Sequence, residues 1–296
     1  MCIRDSGSWY LRSSLLSAGT GGTGGTGGTG GTGSSDPEAG GGALYQPGVP
    51  VYEAYANTLL SLSSVSTLRQ RVGNRLYDEA DSLRDGVWGR MEGKTGRLES
   101  SVSTTGAHQN IDSWKAQFGV DRILSGQEGG ARLVGGLSAS YGTADTHLSS
   151  VYGDGGIDTR AFGLGAALTW YGEQGGYVDA QAQATWFDSD LSSGLAGVLA
   201  EGRKGRGYAM SVEAGNALAV RDGLSLIPQA QLSYVSTSFD GFNDRFGAQV
   251  SSDEGASLLG RAGLALDYKR NWQDAAGKSR RLSLYGLINI KHEFLD

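Results

Sequence analysis

The chain has 296 residues, 50 of them glycine, with 25 Lys and Arg against 31 Asp and Glu for a net charge of -6. A mean hydropathy of -0.28 and the lack of any run of 18 apolar residues exclude an ordinary transmembrane helix. The acidic balance without a basic run argues against a nucleic-acid partner, and one cysteine excludes a disulfide framework or a cysteine-based zinc site. Two classes survive: a soluble β protein, and a membrane β-barrel whose lipid-facing residues are diluted by alternation.

Residues 1–6 are followed by no apolar signal-peptide core and match the translation of a transposase-end sequencing adapter, so Cys2 says nothing about redox compartment. Residues 7–16, with Trp9, Tyr10 and Leu11, are compatible with a strand. Residues 19–33 repeat Gly-Gly-Thr, with too few apolar groups to offset chain entropy, and linker character continues through Pro37 and Pro47 to Pro50. Tyr52, Tyr55, Leu59, Leu62, Val65, Leu68 and Val72 then recur at spacings of three and four, which predicts a helix over residues 51–73 ended by Gly73. Such a helix spans roughly 33 Å, close to a bilayer's thickness. Asn57, Ser61, Ser63, Ser64, Arg69, Gln70 and Arg71 nevertheless make it too polar to face lipid.

From residue 87 onward the period is two. Val178, Ala180, Ala182, Ala184 and Trp186 alternate with Asp179, Gln181, Gln183 and Thr185, and similar runs predict nine strands. They fall at about residues 87–92, 111–123, 130–142, 158–171, 176–188, 206–219, 224–238, 256–270 and 281–292. Most reach the ~9–11 residues that a tilted strand needs to cross a bilayer. The links alternate in length: residues 93–110, 143–157, 189–205 and 239–255 are long, whereas 125–129, 172–175 and 220–223 are short. Long loops on one side and tight turns on the other are the outer-membrane barrel pattern. Trp170, Tyr171 and Tyr177 at one level, with Trp186, Phe187 and Tyr141 at the other, predict two interfacial girdles. The chain stops just after an alternating segment with no closing turn, which reads as a fragment cut at both ends.

In this setting the chain resembles the β-domain of the autotransporters, the type V secretion family, nearest its pertactin-like members. The resemblance rests on Thr67-Leu68-Arg69-Gln70-Arg71-Val72-Gly73, Val87-Trp88-Gly89-Arg90, Gln117-Phe118-Gly119-Val120-Asp121 and Gly176-Tyr177-Val178-Asp179-Ala180. It continues through Val212-Glu213-Ala214-Gly215, Ile227-Pro228-Gln229-Ala230-Gln231-Leu232-Ser233-Tyr234, Leu258-Leu259-Gly260-Arg261-Ala262-Gly263-Leu264 and Lys291-His292-Glu293-Phe294-Leu295-Asp296. Each motif alone is weak, but their order is specific. The resemblance implies a transmembrane antiparallel β-barrel, twelve-stranded in the family, with an α-helix in its lumen. It also implies export of the protein's own N-terminal passenger across the outer membrane of a Gram-negative cell, with the barrel-assembly machinery and outer-membrane lipid as partners. Residues 7–18 would end the passenger's β-helix, 19–50 would be the linker, 51–73 the pore helix, and 74–296 a barrel lacking its last strands.

Arg90, Glu92, Lys115, Asp121, Arg132, Asp179, Glu213, Arg261, Asp267 and Lys269 share the inward face, mixed in sign, and are expected to pair with one another and with Arg69 and Arg71. Helix packing and a hydrated track for the passing chain are both compatible with that set. Some members of the family cut the passenger off at an Asn-Asn junction in the helix. Here Asn57 is followed by Thr58, leaving only Asn57 with Glu92 or Asp121 for such chemistry. The alternative function is a rim protease resembling the omptins, with Asp145 and His147 two apart on one strand face and His108 in the preceding long loop. A plain porin conflicts with the helix and linker ahead of the first strand. The favoured reading is therefore a monomeric, non-enzymatic translocator without cofactor or metal, since the three His residues lie far apart. Nine strands are expected to leave the sheet curved but unclosed, and the chain by itself unable to insert.

Overall fold

The structure is a computed structural model that describes residues 2–5, 8–11, 45–73, 86–99, 103, 105–126, 130–251, 255–273 and 277–295. Most of the expected linker, residues 19–44, lies outside the described residues. The N-terminal strand appears as β2 (Ser8–Leu11), paired antiparallel with β1 (Cys2–Asp5). Two helices follow, α1 (Val49–Ser63) and α2 (Leu68–Val72). Then come β3 (Gly86–Glu99), β4 (His108–Gly126), β5 (Arg132–Ser149), β6 (Gly155–Tyr171), β7 (Gly176–Ser193) and β8 (Gly197–Asn216). A short β9 (Leu218–Arg221) leads into β10 (Leu224–Phe239), and a hairpin of β11 (Phe242–Asn243) and β12 (Gln249–Val250) precedes β13 (Gly255–Gln273) and β14 (Ser279–Glu293).

Nine long strands form one antiparallel sheet in the order β14-β13-β10-β8-β7-β6-β5-β4-β3, with β9 folded onto β10. α1 touches β4, β5, β6, β7, β8, β10 and β13, so the sheet wraps around it. β3 and β14 are the two edges and do not pair with each other, so the barrel is not closed. Alternation has sorted the side chains inside out. Val87, Phe118, Leu137, Met210 and Ile288 are exposed on the convex face, while Asp121, Asp179, Glu213 and Asp267 are buried on the concave one. No described helix is long and apolar enough to cross a membrane.

The nine strands lie where the period of two places them, but they are longer than expected, up to 20 residues in β8. β3 runs to Glu99, β5 to Ser149, and β7 and β8 to Ser193 and Gly197, so most of three expected long loops is strand. The extensions keep the alternation but carry polar outward residues such as Asp145, His147 and Asp158. Ladder pairing by itself does not require an apolar outward face.

The aromatic girdle also differs. Tyr141, Phe162 and Trp186 are register partners on β5, β6 and β7, with Trp114 packed 6.3 Å from Tyr141. Phe187, next in sequence to Trp186, points inward and is 2% exposed against α1. Tyr177 is likewise buried, and Tyr171 packs beside it. Adjacent strand residues occupy opposite faces, so only half of the expected girdle residues can face out.

The expected continuous helix is interrupted. Ser64 leaves helical geometry at ψ 138, and α2 restarts only at Thr67, whose hydroxyl accepts from Gln70 N–H while the Gln70 amide accepts from Thr67 N–H. This reciprocal capping box satisfies donors that a helix start leaves free. α1 buries Val51, Tyr55, Leu59 and Leu62 against Ala144, Ile157, Phe187 and Leu191, and the β11–β12 hairpin adds Phe242 and Val250 to the same cluster. Glycine on the wall permits this close approach. A Cβ at Gly207 would lie 2.8 Å from Ser63 Oγ, and one at Gly142 3.3 Å from Leu62 Cδ2.

Candidate functional site on the concave face

The inward polar residues converge on α2. Register pairing lines up Thr169, Asp179, Glu213, Gln231 and Arg261 across β6, β7, β8, β10 and β13, one side chain per strand. All five are buried. Arg71 reaches this row from above: its Nη2 donates to Asp179 Oδ1 at 2.8 Å and to Thr169 Oγ1 at 2.6 Å, and its Nη1 donates to Asp121 Oδ1 at 2.9 Å. One guanidinium thus joins carboxylates from β4 and β7, the forked geometry for which arginine is suited. Gly136, the register partner of Asp121, leaves room for that ion pair.

Glu213 serves the other end of α2. Its Oε2 accepts from Leu68 N–H at 3.1 Å and its Oε1 accepts from Tyr177 Oη at 2.7 Å. Arg261 Nη2 stands 3.0 Å from Glu213 Oε2 as a charge contact. Arg69 lies 3.8 Å from Asp267 and stacks on the Tyr285 ring, its guanidinium carbon 3.9 Å from the centroid. Lys269 Nζ is 3.9 Å from the same Asp267 carboxylate. Arg132 is buried at the short-turn end of β5. On β3 and β4, Arg90 bonds Glu92 at 3.1 Å and Gln117 at 3.0 Å, and Lys94 bonds Glu92 at 2.7 Å. Lys115 donates instead to the Ser64 carbonyl at 2.7 Å. The arrangement holds charge and hydrogen-bonding capacity inside the sheet.

Asn57 donates to Gln109 Oε1 at 3.3 Å, whereas Glu92 is engaged by Arg90 and Lys94 and Asp121 by Arg71. The two acids proposed to act on it are thus tied up elsewhere, because Asn57 packs at the long-loop end of β4. Asp145 and His147 are exposed on the convex side of the rim. Asp145 sits in register between Asp112 and Asp158, which itself faces Asp190, so the acids around His147 form a row of like charges. His147 pairs in register with Asn110, and His108 with Ser149. Among the described residues no group of three His, Cys, Asp or Glu could hold a metal ion.

Sequence reasoning missed the amides. Gln181 and Gln231 both donate to the Ser66 carbonyl, at 2.8 and 3.4 Å, and Gln117 and Gln183 bind wall hydroxyls. Their signal was present, since glutamine at inward positions of a strand is as much a lumen marker as a charge.

Residues 87–296 match the family model described as the autotransporter beta-domain. The chain belongs to the autotransporter β-domain family. Of curated relatives, the adhesin BmaC autotransporter of Brucella suis biovar 1 is 40% identical over 301 positions, covering 97% of this chain but 8% of the relative. The pertactin autotransporter of Bordetella parapertussis is 30% identical, covering 71% of this chain and 23% of the relative. This autotransporter domain therefore spans under a quarter of the length of either. Among solved structures, the β-domain of the Bordetella autotransporter BrkA aligns with a TM-score of 0.55 at 22% identity, covering 71% of this chain and 80% of that one. The transport unit of AIDA-I from Escherichia coli aligns with a TM-score of 0.55 at 16% identity, covering 84% and 80%. At those identities the likeness is one of fold. The autotransporter fold accounts for the exposed apolar wall and the polar, helix-filled interior as features of one outer-membrane barrel type.

Proposed function

We propose that this domain anchors in the outer membrane of a Gram-negative cell and carries its own N-terminal passenger to the surface. The observation that supports this most directly is the inverted polarity of the sheet: apolar side chains outward, ionic and amide side chains inward around a helix. A charge on the lipid face of a barrel strand costs about 2–4 kcal/mol at the bilayer midplane, whereas a wet lumen tolerates it. In this reading residues 7–18 end the passenger, 19–50 link it to the helix at 51–73, and 74–296 form the barrel wall. Arg69, Arg71, Arg90, Glu92, Lys115, Asp121, Arg132, Asp179, Glu213 and Arg261 seat the helix and keep the interior hydrated. Outer-membrane lipid surrounds a monomeric barrel that the barrel-assembly machinery inserts, and no catalytic group, cofactor or metal takes part.

Protease treatment of intact cells producing the protein with its passenger tests the proposal. The passenger is expected to be digested while the β-domain fractionates with the outer membrane and stays protected. A passenger left in the periplasm beside an inserted domain would contradict it.

A further inference from the structure

The break between α1 and α2 lies within the sheet, with Ser66 buried and its neighbours partly so. Residues 64–67 leave the helix, with extended backbone at both ends of the break: φ -61, ψ 138 at Ser64 and φ -70, ψ 159 at Thr67. Extended backbone inside a barrel leaves carbonyls and N–H groups without intrahelical partners, and each needs another. The wall supplies several of them. Lys115 Nζ from β4 donates to Ser64 O at 2.7 Å, and Gln181 from β7 and Gln231 from β10 converge on Ser66 O at 2.8 and 3.4 Å. Glu213 from β8 accepts from Leu68 N–H at 3.1 Å. These four contacts all go to main-chain atoms, at alternate residues, from four different strands.

The wall also reaches one side chain of the stretch, Lys94 Nζ donating to Ser64 Oγ at 2.8 Å, but at residues 65 and 66 it leaves the side chains alone. The Ser66 hydroxyl is buried and makes no hydrogen bond, although Gln181 and Gln231 meet the carbonyl of that very residue. The Ser211 hydroxyl, in register with Gln181, is also buried and unbonded. A small cavity beside Val65, lined in part by Trp88, Gln117, Gln181 and Gln183, leaves space around its side chain. At the centre of the stretch, Val65 and Ser66, the wall therefore engages main chain rather than side chain.

We propose that Lys115, Gln181, Glu213 and Gln231 form a binding site for extended polypeptide backbone. Residues 64–67 occupy it at rest, and successive passenger segments occupy it during export. This rests on the reading of the domain as an exporter. The ligand class follows from the contacts: any L-polypeptide in extended geometry offers carbonyls at alternate positions, whatever its side chains. The site lowers the cost of placing unpaired backbone groups in a confined lumen, where each lost hydrogen bond would otherwise raise the free energy of the threaded chain. Flexible amides and a long ammonium stem can follow a moving chain in a way that a fixed ladder cannot.

Two measurements test the proposal. In cells exporting the passenger, a photo-reactive amino acid at position 211 is expected to cross-link a succession of passenger segments and, once export ends, residues 64–67. Gln181→Leu combined with Gln231→Leu is expected to slow passenger appearance at the surface roughly tenfold, the effect of two lost hydrogen bonds. Cross-links confined to residues 64–67 while the passenger exports at the normal rate would overturn the proposal and leave the exporter reading intact. No surface passenger from the unsubstituted protein would overturn both. Independently of export, hydrogen exchange at Leu68 N–H in the folded protein separates backbone from side-chain recognition. Ser66→Ala is expected to leave that rate unchanged, and Glu213→Leu, which removes the acceptor of that N–H, to raise it roughly fivefold. Equal acceleration by both variants would mean that side chains are being read, and the proposal fails.

Discussion

Arg71 is held by carboxylates 50 and 108 residues away in sequence, and its side chain is 4% exposed. Removing the guanidinium leaves Asp121 and Asp179 as buried carboxylates without their cation. Breaking a buried pair in this way costs about 3–5 kcal/mol, far more than the net value of the intact pair. Arg71→Met is therefore expected to lower the denaturant midpoint of the folded domain by that equivalent. Arg71→Met with Asp121→Asn and Asp179→Asn should recover much of the loss, and a midpoint unmoved by the single change would show that the contact carries no stability. The rim behaves in the opposite sense. Asp112, Asp145, Asp158 and Asp190 face one another across adjacent strands, and like charges directly opposite destabilise a sheet by a few tenths of a kcal/mol each. Asp158→Asn, which relieves two of those repulsions, is expected to raise stability by about 0.5 kcal/mol. A lower midpoint would mean that the row is stabilised by something other than its own side chains. Which residues are charged was legible in the chain, and so was the side of the sheet they occupy. Which acid meets which base was not, because the pairing depends on where α2 stops inside the sheet.

Among the elements, the nine strands were legible because alternation survives in both the apolar and the polar parts of each strand. Their lengths were not, since β5 and β7 continue through residues such as Asp145 and Asp190 that read as loop. Cross-strand contacts fill gaps left by glycine: the Trp88 ring lies over Gly119 on β4 and Tyr177 over Gly215 on β8. These pairs need no spacing rule that a sequence could show. The helix break did have a local signal. Thr67 three residues before Gln70 is a capping box in the middle of a helical pattern, and the Ser63-Ser64-Val65-Ser66 stretch before it has poor helix propensity. Thr67→Ala removes the side-chain cap and is expected to cost about 1 kcal/mol, with faster hydrogen exchange confined to α2. If exchange in α2 is unchanged, then the contacts of Arg71 and Glu213 alone fix that turn.

At the scale of the whole molecule, the decisive feature is a strongly curved sheet with two free edges. β3 and β14 each present a row of unpaired N–H and C=O groups, and hydrocarbon offers them nothing to bond. Residues 44–296 produced alone are expected to yield no heat-modifiable, bilayer-inserted species when refolded into vesicles. A heat-modifiable band resistant to carbonate extraction would contradict this and would mean that the edges find each other or a second copy. Without closure, α1 is already in contact with seven of the nine long strands.

Low hydropathy with high glycine content follows from two faces of opposite polarity and small residues where the helix meets the wall. The chain by itself determined the number and order of the nine long strands, the presence of a polar helix ahead of them, and the division of side chains between the two faces. Those are consequences of periods of two and 3.6 residues, which any local stretch displays. Tertiary structure alone decided that Phe187 and Tyr177 turn inward and that main-chain atoms of the helix break are held by Lys115, Gln181, Glu213 and Gln231. Those outcomes depend on how far strands tilt and how deeply the helix sits, quantities set by the sum of contacts across the sheet rather than by any one segment.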